Sequence, residues 1–225
     1  ETARAYTDLG LFTADPGVAA DVAGIFNSLT GYSAQHEFHR LVVAPRHLRT
    51  TLKSLVDREA VHARAGRPAH IVIKVNAVTD DAMIRALYRA SQAGVSIDLL
   101  VRGICSLRPG VPGISERIRV RSIVGRFLEH SRIYWFANGG AEEMFIGSAD
   151  VMERNLGRRV ETLTPLRDER LLRHVRDVVL DAYLKDTDRA MALDATGVYS
   201  RVPAGAAHRF NAQEFLLRYY TLDRP

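Results

Sequence analysis

Residues 41–102 constrain this chain more than any other part of it, because apolar runs of two different periods alternate there. Leu41-Val42-Val43-Ala44 is a short continuous apolar run that Pro45 ends, as a buried strand would. Leu48, Leu52, Leu55 and Val56 then recur at helical spacing to about Ala65. His70 to Asn76 is a β-branched run. Thr79-Asp80-Asp81 offers a helix cap before Met83, Ile84, Leu87 and Tyr88, a stripe that stops at Gly94. Val95 to Arg102 is a third apolar run. The order strand–helix–strand–helix–strand predicts parallel pairing with right-handed crossovers, and so an α/β fold. The Gly- and Pro-rich residues 103–116 follow that strand's carboxyl end, where ligands collect in open α/β sheets.

The second half carries shorter strand patterns at Ile118–Val124, Ser131–Phe136, Glu143–Ile146 and Arg159–Thr164, with Gly139-Gly140 placed as a hairpin turn. Asp168 to Lys185 has the apolar stripe of one long helix. After Asp186 the pattern weakens: residues 195–209 read as a loop and Gln213–Tyr220 as a small terminal helix. At the other end, Asp15-Pro16 predicts a helix start, with Val18, Val22, Ile25, Phe26 and Leu29 at helical spacing. The expected architecture is a mixed β-sheet flanked by helices, preceded by a helical N-terminal segment. Residues 30–40 are the expected boundary.

No run approaches the roughly 18 apolar residues of a membrane span, and residues 1–10 lack a signal-like apolar core. One cysteine, Cys105, rules out an internal disulfide framework and favours a cytoplasmic setting. The net charge is +5, nearly all of the cations being arginine. Arginine suits bidentate capture of phosphate oxygens, but a GC-rich genome inflates arginine equally well. Arg117, Arg119 and Arg121 alternate along one strand and predict a basic face, lining a polyanion path or facing water. A structural metal is not expected: no histidine pair has zinc-ligand spacing, and one cysteine builds no thiolate site.

Seven of the eight histidines fall in loops, at strand starts or on helix faces. His130 differs. It stands two residues before Arg132, which places both on one strand face, and Gly147-Ser148 ends a later strand, followed by Asp150, Arg154, Asn155, Arg158 and Arg159. An imidazole beside guanidinium groups can exchange a proton with a phosphoryl oxygen while the arginines hold its charge. Gly147 would let backbone approach an anion and Ser148 would add a hydroxyl donor. The alternative is a buried histidine bonded to backbone.

His130-x-Arg132 followed by Gly147-Ser148 resembles the phospholipase D motif, with arginine where lysine is usual. Longer segments sharpen the likeness. Residues 2–8 (TARAYTD), 26–32 (FNSLTGY), 100–107 (LVRGICSL), 122–132 (SIVGRFLEHSR) and 147–155 (GSADVMERN) resemble, in order, the C-terminal half of bacterial polyphosphate kinase, as does Arg201-Val202-Pro203. That resemblance implies two phospholipase-D-like domains: residues 1–40 as the tail of the first, 41–205 as the second, and 206–225 as an extension. It implies reversible transfer of the terminal phosphate of ATP to polyphosphate through a phosphohistidine. Tyr6 would stack on adenine, Arg102 and Arg159 would bind nucleotide phosphates, and His130 would be the second, assisting histidine, supported by Arg132, Gly147, Ser148 and Asn155. ATP or ADP and polyphosphate would be the substrates. Mg²⁺ would be held by residues upstream, and a homo-oligomer, cytoplasmic or peripheral to the inner membrane, is implied for the enzyme. The family's phosphoacceptor histidine has no counterpart here, so the chain is expected to be an inactive fragment. Two alternatives stay open: a stand-alone phospholipase-D-type phosphodiesterase or nuclease, and a non-catalytic polyanion-binding module.

Overall fold

The protein is described by a computed structural model covering residues 5–31, 37–203 and 209–221. Residues 2–4 of the first family-like segment, Tyr32, His36 and His208 lie outside the described residues. In chain order the elements are β1 (Tyr6–Thr7), α1 (Pro16–Leu29), β2 (Val42–Ala44), α2 (Leu48–Arg64), β3 (His70–Val75), α3 (Asp81–Gln92), β4 (Ser96–Val101), β5 (Ile118–Ile123) and β6 (Leu128–Glu129). There follow β7 (Arg132–Phe136), β8 (Glu143–Gly147), α4 (Glu153–Gly157), β9 (Glu161–Pro165), α5 (Glu169–His174), a π-helical stretch Val175–Leu180, α6 (Asp181–Lys185), β10 (Ala190–Leu193), β11 (Tyr199–Arg201) and α7 (Ala212–Thr221).

Among the described residues one nine-stranded mixed sheet runs β11-β10-β5-β4-β3-β7-β8-β9-β2, as an α/β class with flanking helices requires. β3, β4 and β5 are parallel, and β3 pairs antiparallel with β7. The parallel expectation therefore fails for the first strand. β2 lies at the far edge, antiparallel to β9. β7, whose five residues are all buried, occupies the edge of β3 that β2 would have needed. A three-residue strand cannot compete with that burial.

Alternation along the strands sorts side chains to two faces. Ile71, Ile73 and Val75 pack with Ile97, Leu99 and Tyr134 beneath α2 and α3. Val72, Ile133, Trp135 and Ile146 pack on the other face against Val175, Val179, Ala182 and Tyr183. The helix expected from Asp168 to Lys185 is not uniformly α: its middle widens into the π-helical turn, a geometry found mostly as single local bulges. β7 and β8 do form a hairpin, but residues 137–142 connect them, with Asn138, Gly139 and Gly140 all at positive φ (47°, 64° and 104°). β11 falls inside the stretch expected to be loop. Its turn is built on Asp194, whose carboxylate accepts the Thr196 and Val198 N–H groups, with Gly197 at φ 91°.

Two arginines of the expected basic face, Arg119 and Arg121, have partners within the protein, while Arg117 and Arg119 are exposed. Arg119 makes a bidentate pair with Asp98 at 2.7 and 2.8 Å, and Arg121 donates to the Leu184 carbonyl. α1 is tied to the body by Asp21, whose buried carboxylate accepts the backbone N–H groups of His39, Arg40 and Leu41 at 3.0, 2.6 and 2.8 Å. Phe26 and Leu29 of its stripe remain exposed.

Candidate active site

β1 and β6 form a separate two-stranded parallel pair, Tyr6 opposite Leu128 and Thr7 opposite Glu129. Parallel strands end on the same side, so the residues that follow them, Asp8 and His130, emerge together. The His130 N–H donates to the Thr7 carbonyl at 3.0 Å, which continues the pairing by one step. The Asp8 carboxylate sits 2.8 Å from His130 Nδ1. A carboxylate there places the proton on Nδ1 and leaves Nε2 as the second functional nitrogen. The Tyr6 ring meets the imidazole edge-on, with centroids 5.2 Å apart.

His130 and Arg132 line one cleft of about 350 Å³ together with Asp8, Gly147, Ser148, Thr162 and Thr164. They do not share a strand face as expected. His130 occupies the turn between β6 and β7 and is half-exposed, whereas Arg132 is buried at the start of β7. Its guanidinium lies on Asp150, with Nη2 3.1 Å from Oδ2, and Nη1 donates to the His130 carbonyl at 2.6 Å. Asp150 Oδ1 also accepts the Asn76 N–H at 2.7 Å. The Arg132 charge is thus compensated on one side, and the same group pins the backbone of His130.

Gly147 has a steric reason of its own within the sheet. A Cβ there would fall 2.0 Å from the Thr162 carbonyl oxygen, so the missing side chain admits strand β9. Ser148 is exposed; its Oγ accepts the Thr162 N–H at 3.3 Å and its own N–H donates to the Thr162 carbonyl. The hydroxyl proton remains directed by whatever enters the cleft.

Arg102, Arg159 and Asn155 stand apart from His130, whereas Tyr6 touches it. Arg102, at the end of β4, donates from Nε to Asn76 Oδ1 at 3.2 Å and lines a space of only about 20 Å³ with Lys74, Glu129 and Tyr183. Exposed Arg159 lies 3.6 Å from Glu161, which also accepts from buried Asn155 at 2.6 Å. Tyr6 lines a second cleft, about 390 Å³, with Phe127, Val179, Leu216, Leu217 and Tyr220. The two clefts share Asp8, Leu9 and Ser131.

Behind the histidine lies a polar network that the strand patterns did not disclose. Lys74, buried on β3, donates to the Ser131 carbonyl and Oγ at 3.2 and 2.9 Å and sits 3.3 Å from Glu129. Burial pushes the Lys74 ammonium below its ordinary range, against the pull of the Glu129 carboxylate. Tyr183 and Thr7 donate hydroxyl protons to Glu129 Oε2, and burial raises the Tyr183 phenol well above its usual value. A lysine inside the run His70–Val75 was the one available signal, since a cation on a strand buried on both faces needs a partner. Among the described residues no cluster of three or more His, Cys, Asp or Glu side chains could hold a metal ion. Asp8, the carboxylate that lines the cleft, is already held by His130, and buried Asp150 behind it by Arg132, so these residues do not fit Mg²⁺.

Taken together, fold and site define an α/β domain in which a carboxylate-oriented histidine and a buried arginine open onto a cleft at one end of a mixed sheet. The model of the family described as polyphosphate kinase C-terminal domain 2 matches residues 41–213, and the chain belongs to that family. The polyphosphate kinase of Streptomyces coelicolor is 59% identical over 168 residues, 75% of this chain and 22% of that protein. That of Pseudomonas aeruginosa is 50% identical over 216 residues, 96% of this chain and 31% of that protein. The crystal structure of polyphosphate kinase from Porphyromonas gingivalis superposes with a TM-score of 0.88 at 39% identity, covering 92% of this chain and 32% of that one. The chain therefore spans about a third or less of the relatives it matches.

Proposed function

We propose that this chain contributes the His130 side of a phosphoryl-transfer site, in a protein that moves the terminal phosphate reversibly between ATP and polyphosphate. The observation that carries the proposal is the Asp8–His130 contact at the edge of a cleft that also holds Arg132. With the Nδ1 proton held by Asp8, the neutral ring offers Nε2 as an acceptor and the imidazolium offers Nε2–H as a donor. The nitrogen left to exchange a proton is Nε2. Arg132, Ser148, Thr162 and Thr164 supply one partly compensated cation and three hydroxyls, a set suited to phosphoryl oxygens as their charge shifts.

The nucleoside is assigned to the neighbouring 390 Å³ cleft, where Tyr6, Phe127 and Tyr220 offer aromatic surface; the Gln213 amide at its wall is already bonded to Phe127 and Glu129. Arg102 and Arg159 enter as phosphate ligands through the family resemblance, as does Asn155 in support. The covalent phosphohistidine belongs, in the same proposal, to a histidine in another part of the protein. So do the Mg²⁺ ligands, and no step is routed through the metal here. A homo-oligomeric, cytoplasmic enzyme is proposed on the same ground; no helix among the described residues is long and apolar enough to cross a membrane.

The test is His130→Ala in the intact protein. Polymer synthesis from ATP should fall by at least about 10²-fold, the usual worth of a positioned acid–base group, while the melting temperature holds. Undiminished turnover in a folded variant overturns the assignment. Phosphodiester hydrolysis by this chain alone would favour the phospholipase-D-type alternative. Salt-sensitive polyanion binding indifferent to His130, with no turnover, would favour a binding module.

A further inference from the structure

The C-terminal helix α7 reaches into the buried network behind His130 with one side chain. Gln213 is buried, and all three of its principal hydrogen-bonding positions are used. The Phe127 N–H donates to Gln213 Oε1 at 3.0 Å, and Gln213 Nε2 donates to the Phe127 carbonyl at 2.9 Å and to Glu129 Oε1 at 2.8 Å. Reversing the amide would set its oxygen against a carbonyl and a carboxylate, so these partners determine its orientation. The amide thus pairs with the Phe127 backbone, immediately before β6, much as another strand would. Gly125 makes the approach possible, since a Cβ there would lie 2.4 Å from Gln213 Oε1.

The helix that carries Gln213 is itself anchored. The fully buried Asp186 carboxylate accepts the N–H groups of Arg189, Ala190 and Ala212 at 2.7, 2.9 and 2.8 Å. Asn211 Oδ1 accepts the Glu214 N–H at 3.1 Å at the start of the helix. On the far side, Glu129 Oε2 receives Thr7 and Tyr183 and faces Lys74. Phe127 and Glu129 are therefore held from α7, and Thr7 from Glu129. These flank the two residues whose contact orients the imidazole, Asp8 after Thr7 and His130 after Glu129.

We propose that Gln213 is a positioning residue for His130: its side-chain amide fixes β6, and through β6 the Asp8–His130 contact. The proposal rests on the phosphoryl-transfer role given to His130 above. Because the reacting groups tolerate little displacement, loosening β6 lowers turnover rather than substrate affinity.

The experiment compares Gln213→Leu, Gln213→Glu and His130→Ala in the intact protein, measuring kcat and KM for ATP in polyphosphate synthesis between about pH 6 and about pH 8.5, on either side of the ordinary histidine pKa of about 6.5. Gln213→Leu keeps the shape and loses both donors. Its kcat should fall about tenfold or more, with KM for ATP within about twofold, at every pH. Gln213→Glu sets a carboxyl against the Glu129 carboxylate, which raises the introduced group's pKa. Once protonated it can donate to Glu129 again, so its deficit should shrink several-fold as pH falls. A purely structural role would not produce that difference between the two profiles.

Wild-type kcat in both Gln213 variants, with His130→Ala inactive, overturns the inference and leaves the role of His130 standing. A rise in KM alone would assign Gln213 to substrate binding and overturns it too. Full activity in His130→Ala removes the foundation instead, and the proposal falls with it. Should Gln213→Leu lose its cooperative melt, Gly125→Ala takes its place, since the added methyl displaces the amide and leaves α7 unaltered. Unchanged kcat in that folded variant overturns the proposal as well.

Discussion

Asp150→Ala is the substitution whose effect follows most directly from the geometry. Arg132 and Asp150 are 10% and 9% exposed at their side chains, so their contact is a buried ion pair rather than a surface one. Asp150 accepts twice from Arg132, at 3.3 and 3.1 Å, and once from the Asn76 N–H. Its removal leaves a buried guanidinium bonded to the His130 carbonyl but without its carboxylate, and a backbone N–H without this acceptor. Breaking one partner out of a buried pair costs about 3–5 kcal/mol, and a stranded N–H belongs to the same class of penalty. The expected loss is about 4 kcal/mol, a fall of roughly 8–16 °C in Tm for a chain of this size. Urea unfolding followed by circular dichroism measures it: the midpoint should drop while the m-value holds. Replacing both partners, Arg132→Met with Asp150→Leu, should recover most of the loss, because no uncompensated charge stays buried. A loss under about 1 kcal/mol in Asp150→Ala would place the pair in the energetic class of exposed bridges. A double variant no better than the single would show that the charge was not the cause. Either result would falsify the buried-charge account.

Two further outcomes are expected. Burial raises the Asp98 carboxyl, but hydrogen bonds from His70 and Arg119 and their charges outweigh it and bring the pKa from 3.8 to about 2. At about 1.4 kcal/mol per pH unit this contributes about 2 kcal/mol of stability. The folded pKa is the lower one, so the contribution is fully present above about pH 4 and is lost as pH falls through about 2. Unfolding free energies at pH 5 and pH 2.5 should show that loss in the native chain and not in Asp98→Asn, on the usual linkage between proton uptake and stability. Equal losses in both would remove Asp98 as the source. Gly147→Ala drives a methyl to within 2.0 Å of a backbone oxygen of β9, so the β8–β9 ladder must part. Hydrogen exchange of the Ser148 and Thr162 amides should accelerate, and unchanged protection would refute the steric account.

Much of the framework was legible because it is local. The β-branched runs at 70–76 and 95–102, separated by a capped helix, contain their own periodicity, and β3, α3 and β4 form where that periodicity puts them. β2 escaped the same logic, since a three-residue strand states that it is buried but not which edge it covers. β10 and β11 escaped because their half-exposed residues carry no clean alternation, although Asp194 and Gly197 marked the turn between them.

His130 stood out in the sequence by its neighbours, Arg132 two residues on and Gly147-Ser148 beyond. The chemistry of the site depended on groups that no local pattern joins. Asp8 meets His130 across 122 residues, Gln213 meets Glu129 across 84, and Lys74 meets Ser131 across 57. Periodicity reports which side of an element faces inward, because burial is a property of a single chain segment. It does not report which buried polar group will satisfy another, because that is decided when the sheet order brings their strands together. The sequence determined an α/β chain with a histidine worth watching. Only the tertiary structure decided that its ring is oriented by Asp8, its carbonyl pinned by Arg132, and the strand before it held from behind through Glu129 by the last described helix.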